Sequence, residues 1–159
     1  VVTWGELAEV RPDLAVAGHE LLYQFGVGLA FLATTAADGS PRVHPVCPLL
    51  TAEQLFVFVV PSPKRADLRR DGRLALHSFP AEDGEDACYV TGRAEEVGDQ
   101  PLLRAELVEQ FVAERAPFAA VDPASLDEQT LFRIEVERVL ITRTTGHGDP
   151  APRHEVWKA

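Results

Sequence analysis

The sequence predicts a mainly β fold: six antiparallel strands forming one small barrel, with helices at its ends and one inserted between strands. Three observations predict it. Extended runs, alternating or continuously apolar, fill residues 28–98 and 130–143 and are joined by short turn signals. Helical periodicity is confined to residues 1–26, a basic segment near 64–70, and 99–116. The chain has 159 residues, 46% hydrophobic and 25% charged. That is the make-up of one ordinary globular domain, which buries roughly 70% of its unfolded surface in a single core.

The elements follow in order. Thr3 and Glu6 have the spacing of a capping box, so a short helix starts at Trp4. A second helix follows Pro12-Asp13, with Leu14, Leu21, Leu22 and Phe25 as its apolar stripe and Gly26 as its terminator. GLAFLATTA, the turn ADGS and PRVHPVCPLL read as a hairpin, with Asp38-Gly39 supplying the positive φ angles of a tight turn. LFVFVV at 55–60 is apolar at every position, as expected of a strand buried on both faces. Pro61-Ser62-Pro63 ends it, and a short basic helix runs from Lys64 to about Arg70. RLALHSF (73–79) and ACYVTGRAEEV (87–97) are further strands, with Gly92 marking a bulge or a close approach. Asp99 is a candidate cap for a helix with Pro101 in its first turn and Leu103, Leu107, Val108 and Phe111 on its buried side. The last strand is TLFRIEVERVLITR, whose apolar phase shifts by one near Arg138, as a β-bulge would cause. The tail from Thr144 is rich in Gly, Pro and His and ends at Trp157, and Gly146-His147-Gly148 within it reads as a flexible loop.

A formal charge of −10 disfavours nucleic acid and anionic membrane surfaces as partners, because both would repel the chain. No apolar run reaches the eighteen or so residues of a membrane span, and residues 4–9 are acidic and amphipathic, unlike a secretory leader. Two cysteines, Cys47 and Cys88, are too few for a disulfide framework. A cytoplasmic location is the expectation. The histidines (His19, His44, His77, His147, His154) share no zinc or iron ligand spacing, so no metal is expected. Nucleophile-elbow, Walker and dinucleotide motifs are absent.

One stretch runs against the acidic balance. Lys64, Arg65, Arg69, Arg70 and Arg73 outnumber Asp67 and Asp71 in KRADLRRDGR. Arg42 in SPRVHPV, with Ser62 and Lys64 where the basic helix begins, offers a guanidinium, a hydroxyl and an ammonium. An uncapped helix start favours an anion, and arginine adds bidentate phosphate geometry. Lys64 is the only lysine before the penultimate residue, so a compact point charge is singled out there. A phosphate site and a solvated basic helix are both consistent with these residues.

The ordered set D-G-S-P-R-V-x-P-V, buried strand, S-P-K-x-x-D-L-x-x-D-x-R, strand, Y-V-x-G-x-A-x-x-V resembles the core of pyridoxamine 5′-phosphate oxidase-like proteins. The likeness covers residues 28–98 well and the terminal strand more weakly. It implies a split β-barrel of the FMN-binding kind and a homodimer with two flavin mononucleotide (FMN) sites at its interface. Carried over, Arg42, Ser62 and Lys64 hold the flavin phosphate. Backbone groups of Val43, His44, Pro45, Val46 and Cys47 run along the ring, and Phe58 and Val59 help close the site. His77 and Ser78 are second-tier candidates. Cys47 stands where the true oxidase has a phosphate-contacting lysine, and the oxidase's C-terminal Arg-x-His is absent. The expected activity is therefore an FMN-dependent oxidoreductase with a small-molecule substrate other than pyridoxamine phosphate. The alternatives on the same fold are a deazaflavin-dependent reductase and a non-enzymatic flavin- or haem-binding protein.

Overall fold

The strand over Thr130–Arg143 (β7) organises the sheet in the computed structural model, which describes all 159 residues. The other strands are β1 (Ala30–Thr35), β2 (Pro41–Val46), β3 (Pro48–Leu50), β4 (Leu55–Val59), β5 (Arg73–Ser78), β6 (Ala87–Glu96) and β8 (Arg153–Lys158). They form one antiparallel sheet in the order β2-β1-β5-β6-β7-β4-β3, with β8 also paired to β7. The sheet curls into a half-barrel. Four helices accompany it: α1 (Trp4–Val10), α2 (Pro12–Leu22), α3 (Pro63–Arg70) and α4 (Pro101–Arg115). None is long and apolar enough to cross a membrane.

Eight strands replace the expected six, for two reasons. The run from Pro41 to Leu50 divides at Cys47, so that β2 pairs with β1 while β3 turns away to pair with β4. The end of the tail, where no strand was expected, forms β8. β4 covers the edge of β7 only at Thr130–Ile134, and Val2 bridges Val136. On that edge the backbone groups of 138–143 would otherwise lack partners, and Arg153–Lys158 supplies them.

Alternation along the strands separates two faces. The inner face carries Leu32, Val57, Leu76, Val90, Ile134 and Val139 and is closed by Trp4 and Leu7 of α1 and Leu14, Leu21 and Leu22 of α2. On the outer face, α4 lays Leu107 over Leu49, Phe56, Phe58 and Leu131, with Leu103, Val108 and Phe111 at the margin. β4 is thus buried on both sides, as its unbroken apolar run predicts. No helix covers the outer face of β2, β1, β5 and β6. There Phe31, Ala33, Val43, Pro45, Ala75 and Tyr89 form an open surface on which Val43 is 59% exposed and Phe31 stacks on Phe79 at 4.4 Å.

Local signals are met with four adjustments. The Thr3–Glu6 capping box forms as expected. In the β1–β2 turn only Gly39 takes a positive φ, 85°, while the Asp38 carboxylate accepts from the Ser40 amide and hydroxyl. α2 ends at Leu22, before Phe25, which is left half-exposed. α4 is capped by Gln100 rather than Asp99, because Pro101 occupies its first turn. The bulge lies at Glu137: Thr91 faces Arg138 while Gly92 faces Val136.

Candidate functional site

The basic helix α3 owes its start to Ser62-Pro63. Pro63 pre-sets the first helical turn, and Ser62 holds the extended N-cap conformation. Its hydroxyl donates to the Val60 carbonyl at 2.8 Å instead of capping; Pro63 has no N–H and Arg65 donates to the Ser62 carbonyl at 3.1 Å, so the Lys64 N–H is the first-turn donor left without an acceptor. An anion is the natural partner for such a donor.

Only Asp67 and Leu68 of α3 are buried, and Asp67 decides the local geometry. Its carboxylate, 4% exposed, accepts from three side chains. Arg42 Nε approaches Oδ2 at 2.9 Å, Thr34 Oγ1 the same oxygen at 3.0 Å, and Arg70 Nη1 approaches Oδ1 at 3.1 Å. Thr34 and Arg42 are register partners across β1 and β2, so one hairpin row presents both to the helix. Burial alone would raise the pKa of Asp67. The hydrogen bonds from Arg42, Thr34 and Arg70 outweigh it and hold the carboxyl below its ordinary value.

A depressed pKa in the folded state means that Asp67 contributes stability above its unfolded value, about 4. That contribution is lost as pH falls through the folded value. The stability gap between wild type and Asp67→Asn in urea titrations is therefore expected to narrow steadily as pH falls below about 5 and through the folded value. A gap independent of pH would contradict the ion pair.

With Nε engaged by Asp67, the terminal nitrogens of Arg42 have no protein partner, and its side chain is one-third exposed. Lys64 lies one helical turn before Asp67, half-buried, and makes no hydrogen bond or ion pair. Arg42, Lys64 and the uncapped start of α3 therefore offer unpaired donors beside a buried carboxylate that is already satisfied. β2 is paired on one side only, which leaves the backbone groups on its other edge free. β3 ends opposite Val57, so the edge of β4 is also open from Phe58 onward.

The other predicted residues divide. Arg42, His44 and Val46 point to the inner side of β2, with Val46 in the core; Val43 and Pro45 point outward; Cys47 is half-buried at the β2–β3 junction. The Phe58 side chain is committed to α4, edge-on to Phe111 at 5.8 Å, and Val59 is fully buried, so only their backbone faces the open edge. His77 and Ser78 are not brought to the cluster. They pair with Phe31 and Ala30, roughly 10 and 13 Å along β1 from the row of Thr34. The Ser78 hydroxyl is buried and accepts from the Cys88 amide at 3.0 Å, and His77 stands exposed on the outer face. Burial pushes the Cys88 thiol up to about 12, so it stays un-ionised.

Sequence reading missed Asp67, Thr34 and Arg70. One signal was present: an aspartate three residues before Arg70, the spacing at which opposite charges pair on a helix. The largest surface cavity, 460 Å³, lies elsewhere, between α1, α2 and the β3–β4 turn. Its lining is mostly apolar, so it offers none of the charge found here. No group of three or more His, Cys, Asp or Glu side chains is placed to hold a metal.

Comparison with known proteins now decides the family. A family model described as pyridoxamine 5′-phosphate oxidase matches residues 24–143, three-quarters of the chain. The chain belongs to the pyridoxamine 5′-phosphate oxidase family. None of the curated proteins compared matches it significantly. Among solved structures, a haem-binding protein from Mycobacterium smegmatis superposes with a TM-score of 0.63 at 18% identity, over 89% of this chain and 57% of that one. The chain thus spans little more than half of that protein's length. An FAD-binding protein from Mesorhizobium loti gives 0.58 at 21% identity, over 79% and 91%. A protein described as an F420 reductase gives 0.59 at 16% identity, over 74% and 91%. At these identities they share the split-barrel fold with this member of the family.

Proposed function

We propose that this family member is an FMN-dependent oxidoreductase, working as a homodimer on a small-molecule substrate other than pyridoxamine phosphate. The observation that carries the reading is the pairing of Arg42 with α3, which leaves its terminal nitrogens free beside an unpartnered Lys64 and an uncapped helix start. These donors fit a phosphate monoester. Arg42, Lys64 and the Ser62 end of α3 hold the phosphate, and the ring lies along the free backbone edge from Val43 to Cys47. The open edge of β4 at Phe58 and Val59 closes the far side. Bound flavin supplies the hydride chemistry; the chain binds it, orients it and excludes water. No side chain is required as acid or base.

The uncovered outer face supports the dimer. Phe31, Val43, Pro45 and Tyr89 leave an apolar sheet surface that a second copy would bury. Light scattering at micromolar concentration is expected to give twice the monomer mass. A monomer rejects the dimer.

The function is tested by the absorption spectrum of the purified protein and the mass of whatever heat releases. Flavin bands with the mass of FMN are the expected result. A deazaflavin coenzyme would use the same phosphate cradle, and the fold shared with the F420 reductase favours it as the second reading; its mass separates the two. A haem spectrum, or a protein that neither carries nor takes up flavin, rejects the oxidoreductase and leaves a binding role.

A further inference from the structure

Asp67 is an acid where an anion site would seem to want none, and its contacts explain why it is there. An arginine held at Nε has its guanidinium plane set by that bond; one terminal nitrogen shares the bonded edge, and the end-on edge formed by the two terminal nitrogens stays open. Arg42 is held in this way at 2.9 Å by an oxygen that also accepts from Thr34. The second oxygen is taken by Arg70, whose other terminal nitrogen reaches the Thr35 carbonyl. The carboxylate is 4% exposed and both its oxygens are engaged, by three hydrogen bonds in all, so it presents little free oxygen to a ligand. Arg70, with both terminal nitrogens engaged, balances its charge. What is left facing outward is the terminal part of Arg42.

From this we infer that Asp67 is the positioning residue of the anion site, aiming Arg42 at the ligand's phosphate and thereby setting the preference for phosphorylated over unphosphorylated ligand. The inference rests on the reading of the β2 edge and α3 as a phosphate cradle. It makes a prediction opposite in sign to simple electrostatics. A carboxylate acting only as a nearby negative charge would, on removal, tighten the binding of an anion. One acting as a clamp would, on removal, weaken it, because Arg42 then samples many rotamers.

The test uses Asp67→Asn and Arg42→Lys in the full chain, titrated with FMN and with riboflavin. Asparagine keeps the shape but turns an amide donor or a weaker acceptor toward Arg42. Lysine keeps the charge of Arg42 but lacks the planar fork, so no bond to Asp67 can fix the direction of a separate pair of donors toward phosphate. Both variants are expected to bind FMN about tenfold more weakly or worse, with riboflavin affinity changed less than about twofold. FMN binding that is unchanged or tighter in Asp67→Asn overturns the inference, as does equal loss of both ligands. If Asp67→Asn fails to fold, the wild-type Arg42 Nε–H readout below decides.

A second readout does not depend on flavin. The Arg42 Nε–H resonance of wild type is expected to exchange slowly with water and to shift on titration with inorganic phosphate, and the slow exchange is lost in Asp67→Asn. Wild type that binds no flavin but shows these phosphate shifts rejects the flavin reading and keeps the positioning role. An Arg42 Nε–H that exchanges freely, or shows no response to phosphate or flavin, overturns the inference.

Discussion

Replacing Gly92 with alanine is expected to cost on the order of 5 kcal/mol, a large fraction of an ordinary domain's stability. β6 and β7 are the central pair of the sheet, and Gly92 sits where their register shifts past Glu137. A Cβ there would lie 2.0 Å from the Glu135 carbonyl oxygen and 3.0 Å from its carbon. Both atoms are backbone in a paired strand, so no rotamer change relieves the clash and the two strands must part. At roughly 2–4 °C per kcal/mol for a chain of this size, the melting temperature should fall by about 10–20 °C. Gly98→Ala is the control: a Cβ there meets nothing within 4 Å, and a change within about 0.5 kcal/mol is expected. Thermal melts of both variants check this. A Gly92→Ala protein melting within a few degrees of wild type would show that the bulge closes less tightly than the structure has it.

The second large effect is on ligand binding. Lys64→Ala and Arg42→Ala are each expected to weaken FMN binding by roughly ten- to a hundredfold, the loss of one charge-assisted hydrogen bond of about 1.5–3 kcal/mol. The structure separates the two variants. Lys64 touches no acceptor in the free protein, so its removal should leave stability within about 0.5 kcal/mol, and any loss of affinity reports the ligand. Arg42→Ala also strips a partner from buried Asp67 and should lower stability as well as affinity. Riboflavin lacks the phosphate and should bind wild type weakly and ignore Lys64→Ala. Fluorescence titration of the apoprotein with both flavins is the deciding measurement. If Lys64→Ala leaves FMN affinity unchanged, α3 is a solvated basic helix and the cradle is wrong.

By itself the sequence determined what depends on neighbours along the chain. The Thr3–Glu6 box, the Pro63 start of α3, the Gly39 turn and the alternating strands are all settled within a few residues, where propensity and period act directly. It also named both cationic ends of the candidate cradle, because an arginine before Val43 and a lysine at a helix start are local features. Tertiary structure alone decided what depends on register and on unpaired edges. Asp67 meets Arg42 across 25 residues only because β1 and β2 pair in one register and α3 docks on that row. The tail becomes β8 because β4 is too short to cover β7, and unpaired backbone groups beside a core strand must find partners. Neither fact has a trace in local periodicity, since both arise from hydrogen-bonding groups satisfied by segments distant in the chain.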